Sequence, residues 1–142
     1  MRKLLPLLLA LLMLACNRTE HNSASDHTYA MLERVAELNA GGDKPGALAL
    51  ADSALLMHPA DTTRCWLLSE KAVTLVDMGR MADAVGVAQG AYRLAEKLHD
   101  VDAMLNLRGT MGIAYRRLGK TDSALVQYKE GIQMALAEHN AC

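Results

Sequence analysis

A chain of 142 residues is long enough for one domain with its own core. With 51% apolar and 22% charged residues it is globular rather than disordered, and a formal charge of −1 without a basic stripe offers nothing to nucleic acid. Phe is absent, aromatic residues are 4%, and Ala, Leu and Met abound. Ala and Leu are strong helix formers and Met fills irregular gaps between helices, whereas a sheet core draws on Val, Ile and aromatic residues. The composition predicts an all-α chain.

Residues 1–16 read as a targeting segment. Arg2 and Lys3 give a positive start, Leu4 to Leu14 are apolar, and Ala15 is small. The apolar run is too short to span a bilayer, which takes about 20 residues. Its removal takes the formal charge from −1 to −3. Leu14-Ala15-Cys16 resembles the lipobox of bacterial lipoproteins, with Met13 where Leu is usual. The resemblance implies that Cys16 heads the mature chain and carries the lipid anchor. It also implies a place in the bacterial cell envelope, and Asn17 in place of Asp points to the outer membrane, facing the periplasm. Residues 17–25 are polar and without period, so they read as a flexible tether. His21 within it and His27 just after it read as solvated rather than metal-binding.

The helical domain is predicted over residues 26–140. Asp26 is expected to cap the first helix, which carries Tyr29, Leu32 and Ala36 to Ala40 and stops at Gly41-Gly42. The second begins near Asp43 with Pro45 in its first turn, where a missing N–H costs nothing. Pro59 closes that unit. Asp61 is expected to cap the third helix, which runs to about Met78, and Gly79 turns into a fourth from about Ala82 to Leu98. Asp100 caps the fifth, ending near Leu118. Gly119 turns, Thr121 caps, and the sixth runs to about His139.

Gly42, Gly79 and Gly119 each precede an alanine by five residues, namely Ala47, Ala84 and Ala124, at spacings of 37 and 40. A period of this size marks a helical solenoid. The third unit carries Gly112, Tyr115, Leu118, Gly119, Ala124 and Tyr128. The second carries Leu68, Ala72, Met78, Gly79, Ala84 and Ala91, and the first Leu38, Gly42, Ala47, Ala51, Ala54 and Pro59. On these residues the chain resembles the tetratricopeptide repeat family over about residues 28–140. The resemblance implies an α-solenoid of three helical hairpins, in units of about 26–60, 61–99 and 100–140, with the first helix of each pair on the concave face. The spacings exceed the family's usual ~34 residues, so longer helices are expected. Ala88, where Tyr128 stands in the third unit, is expected to loosen the middle unit.

No nucleophile–base set, phosphate-cradling loop, HExxH or paired CxxC occurs. The chain reads as non-catalytic, with no cofactor and no metal site. His58, His99 and His139 recur near the ends of second helices, where a polar or cationic residue suits the helix dipole. Cys65 is expected to be buried and unpaired rather than joined to Cys142. By register, the concave face draws on Tyr29, Leu32, Ala36 and Asn39, then Trp66, Ser69, Val73 and Asp77, then Asn106, Gly109, Ile113, Arg116 and Arg117. Of these, Tyr29, Trp66, Val73, Asn106, Ile113, Arg116 and Arg117 are the candidate partner-binding residues. Trp66 is divided evenly between a groove and an inter-helix role. The face lacks the Lys/Asn clamp of chaperone-binding members of the family.

The expected function is a membrane-anchored periplasmic scaffold that binds a protein or peptide of some acidic character. The alternative is a truncated or stand-alone sensory region, because Ala47–Thr62 resembles repeats of regulators and sensor kinases of the Bacteroides group. Apolar Ile132, Met134 and Leu136 in the last helix point to a homodimer through the C-terminal repeat.

Overall fold

The computed structural model describes residues 24–141. The targeting segment, Cys16, the tether as far as residue 23, and Cys142 lie outside the described residues. Six helices and no strand occur among the described residues. They are α1 (24–40), α2 (Lys44–Leu56), α3 (Asp61–Asp77), α4 (Met81–Leu98), α5 (Val101–Arg117) and α6 (Thr121–Ala141).

The three first helices, α1, α3 and α5, end in the same way. Gly42, Gly79 and Gly119 have φ of 86°, 81° and 74°. In each case the residue after the glycine donates its N–H to the carbonyl five residues back: Asp43 to Leu38 at 2.9 Å, Arg80 to Leu75 at 2.8 Å and Lys120 to Tyr115 at 2.9 Å. This is the Schellman end, which needs a left-handed residue and so favours glycine. The same bond closes α4, where Asp100 donates to Ala95 at 3.0 Å, but there the left-handed residue is His99, at φ 53°. His58, after α2, is also left-handed, at φ 50°. The two histidines therefore serve as chain-reversing residues, a finer role than the dipole partner read from sequence.

Helix starts differ from expectation in three places. Residue 24 is already helical, so Asp26 stands inside α1 instead of capping it. Ala60 precedes α3 and makes no side-chain cap, while Asp61 is the first helical residue. An acid there still favours the positive helix end. Thr121 is the first residue of α6, and Lys120 supplies the carbonyl that Ala124 bonds at 3.0 Å. Asp43 and Asp100 do cap, accepting from Gly46 and Ala103 at 3.0 Å each. The longer second spacing has a simple source. α4 has 18 residues against 13 for α2, while the connection after it is shorter.

Within each pair the helices meet through small residues. Ala47, Ala84 and Ala124 are buried. Seven residues before each turn glycine and nine after it stand Val35 and Ala51, Ala72 and Ala88, and Gly112 and Tyr128. The first two pairs are fully buried, each within one core cluster. Ala88 thus closes the middle unit, and the expected loosening is absent. In the third unit the large residue has moved to the second helix and its partner has shrunk to glycine. A Cβ on Gly112 would stand 2.7 Å from Tyr128 Cζ, well inside van der Waals contact.

Consecutive helices from α2 to α6 pack on one another, and α3 also meets α5 directly. No such contact joins α2 to α4 or α4 to α6. First helices therefore stand side by side while second helices splay, which curves the stack with the first helices inside. Leu67 of α3 packs with Val35, Ala47, Ala51 and Ala54 of the unit before it. Leu107 and Met111 of α5 pack with Ala88, Ala91 and Ala95.

Gly112→Ala should cost about 1–3 kcal/mol through overpacking. Tyr128→Ala added to it recreates the middle unit's Ala72/Ala88 pair, so the double variant should cost at least 0.5 kcal/mol less than the sum of the two, roughly the lower limit for residues in contact. Urea denaturation of all four species measures the coupling; strictly additive costs would contradict this packing.

Candidate functional site

The face formed by α1, α3 and α5 gathers most of the residues that register assigns to it, but not all remain accessible. Tyr29 is 55% exposed, and Ile113, Asn106, Arg116 and Arg117 are exposed. Val73 is half-buried between them. Ala36 and Asp77 are exposed as well, while Leu32 and Gly109 are half-buried.

Trp66 is committed elsewhere. Its ring packs against the cluster that holds Cys65, Ala91 and Leu107, and its Nε1 donates to Asp100 Oδ2 at 3.0 Å. The other oxygen of that carboxylate caps α5. Trp66 thereby fixes the start of α5 to the start of α3, and the inter-helix role outweighs the groove role. Asn39 is buried. Its Nδ2 donates to Glu70 Oε2 at 2.8 Å and its Oδ1 accepts from Thr74 Oγ1 at 2.8 Å. It is a tie between α1 and α3, not a surface residue. Ser69 is likewise buried and donates to Asn106 Oδ1 at 2.9 Å. Arg117 donates to the Val76 carbonyl at 3.1 Å, which satisfies a terminal acceptor of α3 and places a cation at its negative end. Lys44 does the same for α1, bonding the Asn39 carbonyl at 2.7 Å and pairing with Asp77 at 2.8 Å.

The face consequently has a polar seam under an accessible surface. The seam ties α1 to α3 and α3 to α5. The surface above it offers Tyr29 at one end and Ile113 with Arg116 at the other. Arg116 makes no ion pair among the described residues. Sequence register located this face; it had no means to show which of its polar groups a neighbouring helix would consume.

The splayed side carries two clefts of about 420 Å³ each. One lies between α2 and α4, beside the Lys71–Asp52 ion pair at 2.6 Å. The other lies between α4 and α6, lined by Gln89, Tyr92, Arg93, Arg108, Gln127 and Glu130. Arg108 stacks 4.6 Å above the Tyr92 ring, pairs with Glu130 and donates to Gln127 at 3.1 Å, so the second cleft is walled by side chains already paired with one another.

Cys65 is buried and unpaired, and its thiol donates to the Ala91 carbonyl at 3.7 Å. Burial, assisted by the nearby Asp100 carboxylate, pushes the thiol up to about 11. It stays protonated and inert at physiological pH. Among the described residues there is no group of three or more metal-ligating side chains, and no helix is long and apolar enough to cross a membrane.

A family model described as "Tetratricopeptide repeat" matches residues 63–137. No curated protein and no solved structure matches the chain.

The two asparagines of the seam make a direct comparison. Asn39→Ala removes a buried amide that bonds Glu70 Oε2 and Thr74 Oγ1, but Thr74 keeps the Glu70 carbonyl at 2.8 Å, so the cost should be about 1 kcal/mol. Asn106→Ala leaves the buried Ser69 hydroxyl without its acceptor and should cost about 1–3 kcal/mol. Thermal unfolding should show both variants destabilised; an unchanged midpoint for Asn106→Ala would contradict the Ser69 bond.

Proposed function

The chain belongs to the tetratricopeptide repeat family, and we propose that it is a membrane-anchored scaffold that holds a protein partner on the face of its first helices. Repeats of this family generally mediate protein–protein interaction and are generally non-catalytic, which the match over residues 63–137 brings to this chain. The single observation that carries the proposal further is the composition of that face. Tyr29, Val73 and Ile113 supply apolar contact, and Arg116 with the remaining donors of Arg117 supplies positive charge beside it. An extended or helical peptide with apolar anchors and acidic neighbours fits this arrangement. Asn106 lies at the edge of the same surface and Trp66 braces it from below.

The anchor and location are part of the same proposal. Cys16, in a segment resembling a lipobox, supports a lipid-anchored protein of the bacterial envelope that faces the periplasm. An acyl-anchored chain with a short polar tether keeps the repeat domain close to the bilayer. The last unit, with its exposed apolar residues, is available to a second copy of the chain.

Arg116→Glu combined with Arg117→Glu should lower recovery of a crosslinked envelope partner at least about tenfold, equivalent to roughly 1.4 kcal/mol, with unchanged helicity by circular dichroism. Recovery equal to that of the parent chain would remove the charged end of the face from the proposal. In the same cells, Cys16→Ala should abolish incorporation of a fatty-acid probe; persistent labelling would refute the lipidation site.

A further inference from the structure

The first unit differs from the other two on its outer side. Fourteen residues after the turn glycine stands Leu56 in the first unit, Arg93 in the second and Gln133 in the third. All three positions are exposed, and Leu56, at 80%, is the most exposed large hydrophobic among the described residues. Met57 beside it is 43% exposed. A position that meets water with a polar side chain in two units meets it with an aliphatic one here. α2 also carries no unpaired charge. Its two charged residues are both held by α3, Lys44 by Asp77 at 2.8 Å and Asp52 by Lys71 at 2.6 Å. α4, by contrast, exposes Arg93, Glu96 and Lys97.

Leu56 and Met57 stand where the chain from Cys16 enters the domain. α2 returns antiparallel to α1, so its end lies beside the start of α1. There Ala24, Ser25 and Thr28 wall a cleft of about 200 Å³ together with Met57, His58 and Pro59. Seven residues separate Cys16 from Ala24. Eight fully extended steps of ~3.6 Å span at most about 29 Å. A lipid on Cys16 therefore holds this edge of the domain within that distance of the bilayer. The turns at Gly42, Gly79 and Gly119 form the opposite edge, a helix length further off. For the 13 residues of α2 that length is about 20 Å, at ~1.5 Å per residue.

Resting on the reading that Cys16 carries the lipid, we infer that the Leu56–Met57 end of α2 docks on the surface of that same bilayer, with both side chains entering its apolar boundary. The occupant is lipid because the anchor brings lipid to this edge, whatever the domain binds elsewhere. Apolar side chains at the boundary of headgroups and acyl chains add their burial to that of the anchor. The pairing of Lys44 and Asp52 matters here, since a lone charge carried out of water is costly. Asp26 and Asp61 are exposed close by, so a neutral phospholipid surface suits this edge and an anionic one repels it. α6 exposes more apolar residues, Leu125, Ile132 and Leu136, but Lys129 stands exposed among them and the helix is two units from the tether. Docking by the end of α2 leaves the face of α1, α3 and α5 open to a protein partner.

The full chain, lipid attached and carrying Cys142→Ser, is reconstituted in phosphatidylcholine vesicles that contain a nitroxide-bearing phosphatidylcholine. Cys65 is buried, so a newly placed surface cysteine is the one that takes a label. Ser53→Cys, one turn before Leu56, is compared with Arg93→Cys and Gln133→Cys, each bearing a small environment-sensitive fluorophore. A label held at the headgroup boundary should be quenched at Ser53→Cys at least about threefold more than at either other position. Leu56→Glu with Met57→Glu should bring the Ser53→Cys signal down to theirs without loss of helicity, since both side chains are exposed. Equal quenching at the three positions, in a chain that still floats with the vesicles, would overturn the docking and leave the anchor standing. A blue-shifted but unquenched label at Ser53→Cys would put protein rather than lipid against α2, and would overturn it too. A chain that does not float at all removes the anchor and the docking together, so the two failures are told apart.

Discussion

How closely the two helices of a pair approach governs the rest of this structure. Ala47, Ala84 and Ala124 are buried where the helices of each pair meet. Close approach has a thermodynamic consequence. An alanine buries little area, so the contact inside a hairpin contributes little hydrophobic free energy, on the scale of ~25 cal/mol per Å². The large buried side chains, Leu67, Leu107 and Leu75, stand on first helices, and Leu67 and Leu107 meet the second helix of the unit before. Cohesion is therefore held between units as well as within them. A single hairpin of this chain has tight geometry and weak stability, and stacking supplies what it lacks.

The same imbalance sets the curvature and the accessible face. First helices touch, second helices do not, and polar side chains join the first helices along a seam. Each bond in the seam spans roughly one repeat. Asn39 reaches Thr74, Ser69 reaches Asn106, and Arg117 reaches Val76. A buried hydrogen bond adds only about 1 kcal/mol net, but a mismatched one is costly, so the seam fixes how one unit sits on the next. The surface above it inherits that fixed geometry, which lowers the ordering cost of binding.

Much of this was legible in the sequence, for physical reasons that can be named. A left-handed helix end tolerates few residues, so Gly42, Gly79 and Gly119 announce themselves. A close crossing admits only small side chains, so Ala47, Ala84 and Ala124 do the same. The face of first helices followed from register alone. Trp66 and Asn39 were harder, because register gives the side of a helix and not the neighbour across from it. Asp100 lies 34 residues beyond Trp66, and Thr74 lies 35 beyond Asn39. Asp26 and Asp61 misled in another way. An acid is favourable both as a cap and within the first turn, and only backbone geometry separates the two. His99 carried a signal that went unread, since histidine is enriched among the few residues that accept positive φ.

α6 makes the clearest case for reading burial against composition. Of its 21 residues only Ala124 is fully enclosed. What holds the helix is Tyr128 lying against Gly112 and Arg108 reaching Glu130 and Gln127. Two of these three ties are polar, and Arg108 leaves its Nε buried without a partner. Meanwhile Leu125, Val126, Ile132 and Leu136 point away from the chain. A helix fastened by polar contacts, with its large aliphatic side chains turned to water, is in the inverse of the arrangement that water favours. The Arg108 ties on its inner side hold those side chains outward, while Tyr128 fills the crossing that Gly112 leaves open.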